Sequence, residues 1–154
     1  MLTYEKILRK SQAANGLIGM SLAEFEELYV EFERAHLGRV SASQVTQRHK
    51  RKRRRAAGAG RKHKYALRDR LLMTLFWLRA YTTYTVLGTL YDLDKTTVED
   101  YLNHVLMTLS TMKDFHFESP RADVPKIRSL QEIMKAFPDV LILCNFDEPK
   151  DKYL

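Results

Sequence analysis

Between Arg48 and Lys64 the chain reads RHKRKRRRAAGAGRKHK, with ten Lys and Arg, two His and no acid in seventeen residues. No other feature limits the fold as much. A run of one sign repels itself and has nothing apolar to bury, so it lies outside any core and divides the 154-residue chain in two. The Ala56–Gly60 stretch, AAGAG, keeps it flexible. Residues 1–47 carry five basic and six acidic side chains, and residues 65–154 carry eleven and thirteen. The net charge of +7 therefore comes from this one segment, which contributes +10.

A cationic arm suits a polyanion, because each phosphate it neutralises releases condensed counterions. A solvated linker, a localisation signal and an acidic membrane surface are the competing readings. The membrane is disfavoured, since the arm offers no Trp, Phe or Leu to insert and no apolar run approaches the roughly 18 residues of a span. The N-terminus, MLTYEKILRK, has no signal-peptide core. A single cysteine, Cys144, excludes an internal disulfide and a zinc finger of the Cys-pair type, and it fits the cytoplasm. The five His show no ligand spacing, so no metal and no cofactor is expected.

The apolar residues on both sides recur at helical spacing, so the expected fold is all-α. In SLAEFEELYVEFERAHLG, Ser21 and Glu24 form a capping box, and Leu22, Phe25, Leu28, Tyr29 and Phe32 make one apolar stripe. Gly38 is the expected stop. The opposite face is acidic, with Glu24, Glu26, Glu27, Glu31 and Glu33, which suits packing or protein contacts and not phosphates. A short helix near Thr3–Ser11, closed by a turn at Asn15-Gly16, precedes it.

After the arm, Leu67, Leu71, Leu75 and Leu78 share a face that Leu72, Phe76 and Trp77 widen, which predicts a deeply buried helix. A short helix from about Thr83 to Tyr91 follows, then a turn at Asp92-Leu93-Asp94, then a longer helix from Lys95 to about Ser110. Asp94 is the expected N-cap, its carboxylate accepting first-turn amides. Gly88 sits mid-helix, where glycine costs about 1 kcal/mol relative to alanine. Close approach of a neighbour is the usual compensation. Leu93, Val98 and Tyr101 fall where the two helices share a core. Together these are the constraints of a helix-turn-helix with Leu67–Tyr81 as its supporting helix, though plain helical bundles share them. Ser129 and Glu132 form a second capping box, opening a helix to about Phe137. Val140–Phe146 reads as a C-terminal strand without its sheet.

Five motifs in order, Gly58-Ala59-Gly60-Arg61-Lys62-His63-Lys64, Asp69-Arg70-Leu71-Leu72, Leu78-Arg79-Ala80-Tyr81, Val86-Leu87-Gly88-Thr89-Leu90 and Asp94-Lys95-Thr96-Thr97-Val98, resemble the N-terminal region of bacterial insertion-sequence DDE transposases of the IS-five-like group. The opening LTYEKILRK and GMSLAEFEELYVEFERAH look like that group's leader. The resemblance covers about residues 1–140. It implies a helical leader (1–47), a basic arm (48–64), a helix-turn-helix module (65–112) and the start of an RNase-H-like domain (113–154). The implied partner is double-stranded DNA, specifically the terminal inverted repeats of the element. A full-length or complementary transposase subunit is a second implied partner.

The family continues from an F-P-E/D segment into a strand whose Asp is the first metal-binding carboxylate of the DDE triad. Phe137-Pro138-Asp139 and Val140–Leu143 match that lead-in, but Cys144 stands where the Asp belongs. Asp147 and Glu148 are adjacent and would point to opposite faces of a strand, whereas two-metal phosphoryl transfer needs convergent carboxylates. The expectation is a non-enzymatic, sequence-specific DNA-binding protein. Arg51, Lys52, Arg53, Arg54, Arg55, Arg61, Lys62 and Lys64 would supply the arm's contacts, and Lys95, Thr96, Thr97 and Asn103 those of the recognition helix. Glu99 and Asp100 on the same helix count against it unless a carboxylate accepts from a cytosine amino group. A helix-turn-helix transcriptional regulator and a nonspecific nucleic-acid-binding or scaffolding helical protein are the alternatives.

Overall fold

The computed structural model describes residues 2–48, 62–113 and 125–144. Among them the chain is all-α: α1 (Tyr4–Leu8), α2 (Ser11–Ile18), α3 (Leu22–Arg48), α4 (Leu67–Ala80), α5 (Tyr84–Tyr91), α6 (Lys95–Leu109), α7 (Leu130–Ala136) and α8 (Pro138–Cys144). The basic residues 49–61 lie outside the described part, as do Asn145, Phe146, Asp147 and Glu148.

The axis of the fold is α4. Leu71, Leu72, Met73, Thr74, Leu75 and Phe76 are all buried, so the helix is enclosed over successive turns by partners on several sides. Helix α6 packs on it and on α5, giving the three-helix unit that the sequence predicts. The leader packs on the same helices: α1 and α2 lie against α4, and α3 contacts both α4 and α6. Asp69 of α4 accepts the Tyr4 amide at 2.8 Å, tying the first turn of the leader to the module. Arg68 holds α3, with its guanidinium over the rings of Tyr4 (4.8 Å) and Tyr29 (4.4 Å) and 3.1 Å from the Glu26 carboxylate. The acidic face of α3 is thus partly used in packing.

Local chemistry sets most boundaries. Ser21 and Glu24 form their capping box: the Glu24 carboxylate accepts the Ser21 amide at 2.7 Å, and the Glu24 amide donates to Ser21 Oγ at 3.3 Å. Ser129 Oγ accepts the Glu132 amide at 3.2 Å, while the Glu132 carboxylate reaches Arg128 N instead of Ser129 N. Gly88 has the close neighbour expected of it. A Cβ there would lie 2.5 Å from the carbonyl oxygen of Leu93, so only glycine lets the turn fold back on α5. The Leu93 amide donates to the Gly88 carbonyl at 2.9 Å, closing the helix end, with Asp92 left-handed at φ 50°.

Five expectations need correction. The N-terminal segment forms two helices, and Asn15-Gly16 lies inside α2; the stop comes at Gly19, left-handed at φ 78°. Helix α3 runs through Gly38 to Arg48, because the following VSASQVTQR has no breaker and one glycine costs only about 1 kcal/mol. Asp94 occupies the N-cap of α6, but its side chain makes no cap bond and is exposed to water. The role falls at α5 to Thr83, which accepts the Val86 amide. The fifth concerns Val140–Phe146, whose described residues to Cys144 are helical and not a strand. A strand leaves its backbone groups unpaired without a neighbour, whereas a helix satisfies them within itself. Pro138 at the first helical position and Asp139 in the first turn favour that outcome, and Val140 and Leu143, three apart, turn into the core.

Candidate nucleic-acid interface

The basic arm re-enters the described structure at Lys62 and lands on the turn between α5 and α6. Hydrogen bonds from Lys64 and Tyr65 hold it. The Lys64 amide donates to the Tyr101 hydroxyl at 3.0 Å. The Lys64 ammonium donates to the Asp92 carboxylate at 2.5 Å and to its carbonyl at 2.7 Å. The hydroxyl of Tyr65, buried against Tyr91, donates to the Tyr91 carbonyl at 2.6 Å. The ammonium of Lys64 holds the Asp92 carboxyl below its usual pKa. The end of the arm is therefore joined to the turn before α6 and to Tyr101 midway along it.

Between them lies an open groove of about 1190 Å³. Its lining includes Lys62, His63 and Lys64 from the arm, Arg70 from α4, Thr85 and Thr89 from α5, and Lys95, Thr97, Asp100, Tyr101 and His104 from α6. Lys95 and Thr97 thus line the groove, with Lys95 exposed and Thr97 half-buried. Thr96 and Asn103 are exposed and seven residues apart, two turns along one face, so they form the outer surface of α6 beside the groove. Glu99 shares that outer surface. Lys62 is exposed on the groove wall, and Lys64 is engaged by Asp92. Arg51, Lys52, Arg53, Arg54, Arg55 and Arg61 fall outside the described residues. Val98, Leu102, Val105 and Leu109 turn inward, fully buried, and give α6 its orientation.

The groove also holds groups that the amino-acid pattern does not single out. Arg70 is only 6% exposed, and its Nε and Nη1 have no hydrogen-bond partner among the described residues. Its guanidinium faces the Tyr101 ring at 5.5 Å, and the His63 ring meets the same tyrosine edge-on at 5.4 Å. Behind them His104 meets His36 of α3, ring centroids 4.9 Å apart, and Arg39 donates to the His104 carbonyl at 3.4 Å. Burial, reinforced by Arg39, His36, Arg70 and His63, pulls His104 from its ordinary 6.5 down to about 4. His36 and His63 are lowered as well, each chiefly by burial. No sequence signal marks Arg70, since Arg68, Asp69 and Arg79 are charged residues of the same helix.

Among the described residues no three or more His, Cys, Asp or Glu side chains stand where they could hold a metal ion, and no helix is long and apolar enough to cross a membrane. Residues 63–112 match the family model described as the helix-turn-helix of DDE superfamily endonuclease, as the order of motifs in the sequence predicts. The span runs from the end of the arm through α4, α5 and α6. No curated protein and no solved structure matches the chain.

Proposed function

We propose, from the similarity of residues 63–112 to the helix-turn-helix of DDE endonucleases, that this chain binds double-stranded DNA and reads the terminal inverted repeats of a mobile element. The observation that carries the reading is the joining of arm and helix. The +10 segment brings its last residues onto the α5–α6 turn and Tyr101, where they line one groove with Lys95 and Thr97, so phosphate binding and base reading share one surface. Phosphate contacts then position the duplex, and the α6 side chains specify it. Lys95, Thr96, Thr97 and Asn103 are the proposed base-edge and phosphate contacts, and Arg51–Arg55, Arg61, Lys62 and Lys64 the affinity contacts, with Lys64 acting through its anchor on Asp92. The described residues take the role of recognition and not of strand cleavage. The cleaving role would need convergent carboxylates, and the family places its first one where Cys144 stands.

A competition experiment tests this. Thr96→Ala, Thr97→Ala and Asn103→Ala should each shift thermal stability by less than about 0.5 kcal/mol. Each should also reduce discrimination between a terminal-repeat duplex and random duplex by about 1–3 kcal/mol for every base edge it no longer bonds. An unchanged specific-to-random ratio in all three would sink the assignment of α6 as reader. Preference for a promoter over the repeats would favour a transcriptional regulator, and preference for structured RNA a nonspecific nucleic-acid-binding protein. No metal-dependent nicking of repeat DNA is expected with Mg²⁺ or Mn²⁺.

A further inference from the structure

The Arg, Lys and His side chains around Arg70 come from four parts of the chain. Helix α3 brings His36 and Arg39, the end of the arm Lys62 and His63, α4 Arg70, and α6 Lys95 and His104. A buried guanidinium ordinarily faces a carboxylate, because an unpaired charge in a low-dielectric interior is strongly destabilising. Arg70 has no such partner among the described residues. The deficit is shared: Arg39 Nε, His36 Nδ1 and His104 Nδ1 are also buried without a hydrogen-bond partner there. Five nitrogen atoms on four side chains, all of types that donate when protonated, therefore lie unused in or behind one groove.

The acids nearby do not answer them. Asp92 is engaged by Lys64, Glu33 acts on His36 but accepts from the Tyr29 hydroxyl, and Asp94 and Asp100 are exposed on the rim, where water screens their charge. Of the charged residues that line the groove, Arg70 is the buried one, and its guanidinium stands over the Tyr101 ring.

We propose that the pocket formed by Arg70, His63 and His104 binds a phosphate group. Resting on the DNA-binding reading, the phosphate is one of the duplex backbone, seated where the arm meets α6. A phosphate oxygen entering the groove that Arg70 lines accepts from its guanidinium in a charge-assisted bond, the strong kind that planar guanidinium groups favour. The side chains that close Nε and Nη1 off from water turn aside to admit it. A groove of about 1190 Å³ leaves room for the strand that carries it. The anion also offsets the mutual repulsion of the cluster, so a phosphate bound there draws His104 back toward its ordinary protonation. Arg70 thus sets affinity from the supporting helix, behind the residues that read bases.

The test uses the full chain and inorganic phosphate against chloride at matched ionic strength. Millimolar phosphate should raise the melting temperature and move the His104 and His63 imidazole resonances. Arg70→Met should abolish both responses, and Arg70→Lys should restore part of them. Arg70→Met should also weaken binding to every duplex by about tenfold or more, the drop expected for a hydrogen bond to a charged group. Competition between phosphate and duplex would place the backbone phosphate in the pocket. If phosphate binds through Arg70 but no duplex does, the pocket stands as a site for free phosphate, and the DNA reading fails. If phosphate has no effect beyond chloride while duplex binding persists in Arg70→Met, the pocket is refuted and the DNA reading survives. Should Arg70→Met not fold, the response of the unaltered protein to phosphate decides alone.

Discussion

Gly38 and Gly88 show how little residue type says without its neighbours. Both lie in helices, and nothing stands within 4 Å of a Cβ built at Gly38, whereas one at Gly88 would lie 2.5 Å from the Leu93 carbonyl. The same substitution should act in opposite directions. Gly38→Ala should stabilise α3 by up to about 1 kcal/mol, the difference in helix propensity. Gly88→Ala should destabilise the module by about 1–3 kcal/mol, because backbone cannot step aside as a flexible side chain can. Thermal melting of the two variants side by side decides the point, and loss of duplex binding should accompany only Gly88→Ala. The amino-acid pattern predicts a close approach at Gly88 but also a stop at Gly38, which the structure does not bear out. Gly88 is flanked by the signals of a tight turn, whereas at Gly38 the helical drive of the next ten residues prevails.

At the scale of elements, the proposed function assigns affinity to the arm and specificity to α6. Replacing Arg51–Arg55 by Gln should weaken binding to all duplexes alike. It should also flatten the slope of log K against log salt by roughly 0.9 for each phosphate no longer neutralised. An unaltered slope, measured across a salt series, would remove the arm from the interface. The leader is not a separate element energetically. Leu17, Phe25 and Phe32 are buried at 1% exposure or less, in one core with α4 and α6. Phe25→Ala should therefore cost about 3–5 kcal/mol and weaken all DNA binding through loss of the fold, although Phe25 lies far in sequence from α6. Denaturant titration beside a binding assay separates that outcome from a local effect.

For the whole molecule, the cluster of His and Arg side chains makes stability depend on pH. His104, His36 and His63 all bind protons more weakly in the folded state than when exposed. Burial is the largest cause for each, Arg70 and the neighbouring charges add to it, and only Glu33 opposes it, at His36. The unfolded chain therefore takes up more protons below the ordinary histidine value of 6.5, and stability falls as pH drops from there toward about 4, the value for His104. Melting curves across that range should show the fall, His104→Gln should lessen it, and added phosphate should lessen it further if the Arg70 pocket is occupied.

The sequence by itself determined the class of fold, the order and ends of α4, α5 and α6, the Ser21–Glu24 capping box, the Ser129 cap and the location of the charge. Each of these rests on chemistry within a few residues: apolar period, hydroxyl and carboxylate at fixed offset, a turn, a run of one sign. It also carried the motif order by which residues 63–112 resemble the helix-turn-helix of DDE endonucleases. Only the tertiary structure decided the rest. The run VLIL suits strand or helix alike, and the core face waiting for Val140 and Leu143 favoured the helix. Packing of α3 across α6 brought His36 to His104 over 68 positions of sequence, and α4 carried Arg70 beneath Tyr101. Charge is readable in a linear chain, but whether a charge has a partner depends on which distant surfaces close around it.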